Sequence, residues 1–104
     1  MSKYLLLYLA DQSARKQMSQ GTPEDRKAGM DAWMAWAGTA GDMIVEFGAP
    51  LQAVDAAEGK QVTGFSILEA DSADALRQVL EVHPHHHMPG GVIAAYEMLS
   101  PPGM

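Results

Sequence analysis

The chain opens on an apolar run that has no polar face. Lys3-Tyr-Leu-Leu-Leu-Tyr-Leu9 puts Tyr4, Leu6 and Tyr8 on one set of alternate positions and Leu5, Leu7 and Leu9 on the other. The run is short, rich in leucine and tyrosine, and bounded by the polar stretch Asp11 to Gln20, which predicts a strand. Successive side chains of a strand point to opposite faces. This strand therefore needs cover on both.

Thr22-Pro23-Glu24-Asp25 predicts a helix start. Thr22 is a good N-cap, Pro23 suits the first turn, and the two carboxylates suit the positive end of the helix dipole. Met30, Trp33, Met34 and Ala37 recur at helical spacing as the expected packing stripe, and Gly41 is the expected stop. Trp36 lies off that stripe, near Gly29, Ala32 and Ala40, and suggests a second packing surface. Met43 to Phe47 predicts a second strand, ended by Gly48-Ala-Pro50. A polar hairpin is expected over Asp55 to Lys60. Val62 to Leu68 predicts a third strand, in which Gly64 marks a bulge or a close backbone approach. Asp71 or Ser72 would cap a second helix with Leu76, Val79 and Leu80 buried. His83-Pro84 ends it, because a residue before proline is pushed out of the α region. The loop His85 to Gly91 leads into a last strand, Val92 to Leu99, and Pro101 to Met104 is a tail.

The order strand, helix, strand, strand, helix, strand is the ferredoxin-like βαββαβ arrangement. The expected fold is α+β, one domain over residues 1–104, with an antiparallel four-stranded sheet and two helices on one face. In a monomer the other face would be polar. Here both faces carry Leu, Ile, Phe, Tyr, Val or Met, and an apolar face of that size marks an interface. The simplest cover is a second copy, sheet against sheet, so a homodimer is expected.

Composition narrows the partners. Thirteen acidic residues stand against seven basic ones, a formal net charge of −6, with no Lys/Arg cluster to meet a nucleic acid. The absence of cysteine excludes a disulfide scaffold, a thiolate nucleophile and a cysteine-ligated metal. The longest apolar run, Tyr4 to Ala10, is too short to span a bilayer and lacks the flanks of a secretion signal. A cytoplasmic protein without a membrane partner is expected.

The residues resemble the YCII-related proteins, which include the group named for its DGPF motif. The likeness runs over nearly the whole chain. It rests on Lys3-Tyr-Leu-Leu-Leu-Tyr8, Met30-x-x-Trp33-x-x-Trp36, Gly48-Ala-Pro-Leu51 and Thr63-Gly-Phe-Ser-Ile67. It continues through Ala70-Asp-Ser-Ala-Asp74 and His83-Pro84 before Gly90-Gly-Val-Ile93, while the DGPF tetrapeptide itself is absent. The resemblance implies a dimeric α+β barrel. It also implies a suspected enzyme built on a His in the first helix and an Asp before the proline after the second. This chain departs at both places: the first falls near Ala32, between Asp31 and Trp33, and the second is His83. A reversed pair, Asp31 orienting His83 as a general base, is conceivable.

All four histidines lie in His83-Pro84-His85-His86-His87. In an extended segment His83, His85 and His87 would share a side. Imidazoles ligate zinc, nickel or copper, yet three ligands from so short a run rarely close a tetrahedron, and no metal is assigned. The tract reads first as a helix terminus with solvated imidazoles, and alternatively as the wall of an organic ligand's pocket. Gly90-Gly91 allows a turn or a close backbone approach. Trp33 and Trp36 suit either a core or stacking on a planar ligand. Glu46 and Glu97 sit in apolar strands, at an edge or at a site. No serine has a nucleophile elbow.

Two functions follow. The first is a small-molecule binder or enzyme with a pocket between helix, sheet and the His83 to Gly91 loop, near the dimer interface. There His83 and His85 would be acid/base groups, Asp31 their orienter, and Trp36, His87 and Gly90 ligand contacts. The ligand would be a small organic molecule, and no cofactor can be named. The second is a non-catalytic dimeric binding or regulatory module. An apolar pocket with convergent polar groups favours the first.

Overall fold

The computed structural model describes residues 1–55 and 59–103. Its centre is β1 (Ser2–Ala10), which pairs antiparallel with β3 (Gln61–Ala70) on one side and β4 (Val92–Glu97) on the other. The short β2 (Ile44–Glu46) pairs antiparallel with β3, giving the order β2-β3-β1-β4. That is the ferredoxin-like arrangement, and the chain's most apolar strand lies inside it.

Leu6 sits opposite Ser66 and Ala95, and Tyr8 opposite Gly64 and Ile93. The register with β3 then slips, so that Leu9 faces Val62. Both readings of Gly64 hold at this slip. The strand bulges there, and Gly64 bridges to Pro50, with the Ala49 carbonyl 3.3 Å from where a Cβ would stand.

Tyr4, Leu6 and Tyr8 are buried together with Leu68 and Ala70 on one face of the sheet, beneath Trp36, Ala40, Leu76, Val79 and Leu80. These come from α2 (Pro23–Ala40) and α3 (Ala73–Glu81). The helices thus cover one face. The other presents Leu5, Leu7, Leu9, Phe65 and Ile67 half-buried, and beside them Val92 and Tyr96 are exposed.

Thr22 caps α2 by accepting from the Asp25 N–H, and the Asp25 carboxylate accepts from the Thr22 N–H. The bond from the Thr22 N–H, aided by the Thr22 side chain, holds the Asp25 carboxyl below its usual range. Gly41 stops the helix at φ 56°. The expected Met30/Met34 stripe is corrected: both residues are more than half exposed, at 58% and 57%. Trp36 is 3% exposed, and the packed side of the helix runs through Trp33, Trp36, Ala37 and Ala40. The indole decides the rotation. It buries more apolar area than a thioether, and its Nε1–H donates to the Val79 carbonyl of α3 at 2.9 Å.

Ser72 caps α3, with Leu76, Val79 and Leu80 buried as expected. β2 and β4 are shorter than their apolar runs, ending at Glu46 and Glu97. A further helix, α1 (Ala14–Met18), lies in the polar stretch after β1, capped by Ser13. The expected hairpin at 55–60 falls partly outside the described residues. No helix among the described residues is long and apolar enough to cross a membrane.

Candidate functional site

The histidine tract is not extended. Pro84 opens a 3-10 turn, Pro84–His87, so His83, His85 and His87 do not line up on one side. Proline presets the dihedral of a first helical position, and His83 caps the turn: its Nδ1 accepts from the His85 N–H at 2.9 Å. The acceptor role of Nδ1 places the ring proton on Nε2, which is buried and has no hydrogen-bond partner among the described residues. The His83 ring lies 4.2 Å from Trp36, 4.4 Å from Trp33 and 4.8 Å from Tyr8 between ring centres, and it is 1% exposed. Burial above all, with His85 and His86 nearby, pushes its pKa down to about 3. It is neutral at neutral pH.

His85 is buried as well. Its Nε2–H donates to the Leu9 carbonyl at 2.6 Å, which fastens the loop to the end of β1. Burial lowers its pKa, outweighing the bond to Leu9. His86 donates to the Leu80 carbonyl at 2.8 Å, satisfying one of the acceptors a helix end leaves open. His87 is exposed.

Beside this aromatic cluster lies a cavity of about 450 Å³. Its buried end is made by Tyr8, Thr63, Gly64 and His85. Arg26, Gly29, Met30 and Trp33 lie along it at spacings of three, four and seven residues, one face of α2. Ala14, Gln17 and Met18 of α1, the segment Phe47 to Pro50, Phe65 and Met88 complete the lining. The Tyr8 hydroxyl donates to Ser66 Oγ at 2.8 Å, and Ser66 donates to the Phe47 carbonyl at 2.6 Å. This relay holds the β2–β3 connection against the sheet, where Phe47 meets Trp33 edge to face at 6.2 Å. Gly48 is needed in that connection: its φ is 93°, and a Cβ would overlap the Phe65 carbonyl.

Burial pushes the Tyr8 phenol up to about 12, with only partial relief from the Ser66 bond. Thr63 Oγ1 donates to the Tyr8 carbonyl at 3.0 Å. The buried end is thus uncharged at neutral pH. Arg26 supplies the charge in the lining, and none of the lining residues is an Asp or Glu. Arg26 is exposed, and its Nη1 donates to the carbonyls of Gly21 at 3.1 Å and Gln20 at 3.5 Å.

Of the residues singled out in the sequence, His85 and Trp33 line the cavity. His83 packs against the lining rings of Tyr8 and Trp33 without lining the cavity itself. Asp31 is not brought to the histidines; it is exposed on α2 and pairs with Lys27 at 2.9 Å. Trp36 is in the core. Gly90 (φ 70°) belongs to a loop tie in which Lys60 Nζ donates to its carbonyl at 3.0 Å and pairs with Asp11 at 2.9 Å. Glu46 accepts from the Gly48 N–H at 3.0 Å, and Glu97 is exposed opposite Tyr4. Among the described residues no three His, Asp or Glu side chains are grouped to hold a metal ion.

Sequence reasoning missed Arg26, Gln17, Met18, Phe47 and Thr63 as lining. For Arg26 a signal was present, since it stands one and two turns before Met30 and Trp33 on a single helical face. For the rest there was none, because tertiary packing alone brings α1 and the β2–β3 connection together.

No family model matches the chain, and no curated protein matches it. Among solved structures it is similar in fold to 5-chloro-2-hydroxyhydroquinone dehydrochlorinase (TftG) from Burkholderia phenoliruptrix AC1100, in complex with 2,5-dihydroxybenzoquinone. The match covers 88% of this chain and 90% of that one, with a TM-score of 0.50 and 19% identity. At that identity the likeness is one of fold.

Proposed function

We propose that this chain is a small-molecule-binding protein of YCII-related type, a single cytoplasmic domain that pairs with a second copy through its open sheet face. The observation that carries the reading is the cavity. Its volume, about 450 Å³, lies in the range of pockets for small organic ligands. It is mostly apolar, with Tyr8, Thr63, His85 and Arg26 as its convergent polar groups. The dehydrochlorinase of similar fold is described with a flat quinone bound, which supports a ligand of that size.

The role we assign is binding rather than acid–base chemistry. His83 has its Nδ1 lone pair engaged, His85 has Nε2–H engaged, and Asp31 is turned to Lys27. The imidazoles serve to pack and fasten the loop that forms the buried end of the cavity.

The test is a titration with neutral naphthylmethanol, followed by calorimetry. Saturable binding is expected in the native chain. It should be lost in Gly29→Phe, where nothing lies within 4 Å of the new Cβ and the ring would occupy the cavity. Equal binding in both proteins, or no saturation, contradicts the reading. For the pairing, light scattering is expected to show a dimer that Leu7→Lys converts to a monomer, because Leu7 lies mid-face between Phe65 and Ala94. A native monomer at micromolar concentration contradicts it.

A further inference from the structure

The cavity is chemically lopsided. Tyr8, Thr63 and His85 close its buried end with groups whose hydrogens are already given away: to Ser66, to the Tyr8 carbonyl and to the Leu9 carbonyl. Arg26 stands at the exposed end. One guanidinium nitrogen is held on the carbonyls of Gln20 and Gly21, which steadies the side chain without neutralising it. Among the described residues Arg26 forms no salt bridge. Its neighbour Asp25 spends its hydrogen bonds on Thr22 in the capping box and feels Arg26 only as a lesser Coulombic attraction, without a salt bridge. In a chain of net charge −6, a ligand cavity lined by an arginine and by no acid is an exception to the surrounding field.

The rings of Trp33 and Phe47 and the thioethers of Met18, Met30 and Met88 surround the space between the two ends. Aromatic faces favour a flat partner, and thioethers adapt to its outline. A guanidinium pairs with a carboxylate or phenolate through two parallel N–H bonds.

We propose that the ligand is a planar, largely apolar anion, an aromatic carboxylate or phenolate, seated with its ring against Trp33 and Phe47 and its charge on Arg26. This deepens the small-molecule reading above and rests on it. Arg26 sets specificity: it selects the anion over a neutral molecule of the same shape, against the protein's overall negative charge.

The experiment compares naphthoate with naphthylmethanol, which has the same rings and no charge, on the native chain, Arg26→Gln and Lys27→Gln. Lys27→Gln changes net charge equally at a residue outside the cavity lining. The native chain is expected to prefer naphthoate by about tenfold, the worth of one charge-assisted contact at a partly exposed site. Arg26→Gln should abolish that preference, bringing the ratio of the two affinities to about one. Lys27→Gln should keep the preference. Added salt should weaken naphthoate alone. Equal affinity for both compounds in the native chain, or a preference that survives Arg26→Gln, overturns the proposal while the cavity still binds. Binding of neither compound overturns the small-molecule reading with it.

Discussion

Replacing His83 by Phe should flatten the acid side of the stability profile. The native ring is enclosed by Trp33, Trp36 and Tyr8, and its pKa is pushed from 6.5 down to about 3, chiefly by burial. The unfolded chain takes up this proton near pH 6.5 and the folded one only near pH 3. Between those values the unfolded state holds more protons, so stability must fall as the pH falls, and the contribution is complete above 6.5. Each unit of displacement corresponds to about 1.4 kcal/mol. Acidifying by about two units from 6.5 should therefore cost the native fold on the order of 3 kcal/mol through this residue, a large share of a typical 5–15 kcal/mol. Phe keeps a flat ring in the same contacts and cannot titrate. It also leaves the His85 N–H without its acceptor, at about 1–3 kcal/mol at every pH. His85 shifts in the same direction through its own burial, so it adds a slope of the same sign and does not mask that of His83. Urea unfolding followed by circular dichroism across this interval should show a shallower pH slope in His83→Phe. Identical slopes would refute the claim that His83 is buried and neutral.

Four further outcomes follow from the same geometry. Ser66→Ala strands the Tyr8 hydroxyl and removes the donor from the Phe47 carbonyl, and should cost about 2–4 kcal/mol in urea unfolding. Tyr8→Phe leaves the Ser66–Phe47 bond intact and should cost only about 1 kcal/mol; the reverse order would mean the relay is not formed as described. Gly48→Ala forces a positive φ and a clash with the Phe65 carbonyl, so thermal melting should show a loss on the order of 2–4 kcal/mol. Asp31→Ala removes only an exposed i,i+4 pair, and should change stability by less than about 0.5 kcal/mol and naphthylmethanol affinity not at all.

The frame of this fold was legible because its signals are local and redundant. Tyr4, Leu6 and Tyr8 alternating with Leu5, Leu7 and Leu9 announced a central strand with two apolar faces, and the structure buries one set while leaving the other half-covered. Thr22-Pro23, Gly41, Ser72 and His83-Pro84 marked helix ends that the structure keeps. The helix rotation was harder. Met30, Trp33 and Met34 satisfy the helical period as well as Trp33, Trp36 and Ala40 do, and the larger apolar area of the Trp36 indole together with its bond to Val79 separates the two. The short helix after β1 has five residues and no apolar period. The histidine tract misled for a related reason. Its polarity suggested solvated imidazoles, a pocket wall or acid–base groups; tilted and edge-on ring contacts and two specific hydrogen bonds hold His83 and His85 inside, with His85 in the cavity lining. Nothing local encodes a ring contact with Tyr8, which lies far away in sequence.

The central claim is that ligands enter beneath α1 and α2, against His85, rather than at the exposed His86 and His87 or the open sheet face. A proton–nitrogen correlation spectrum of the labelled protein, titrated with naphthylmethanol, tests it directly. The account predicts saturable shifts at the Trp33 indole and the amides of Gly29, Gly48, Thr63 and Gly64, with His87 and Tyr96 unmoved. Shifts centred on Leu5, Leu7 and Tyr96, or on His86 and His87, with the cavity residues still, would contradict it.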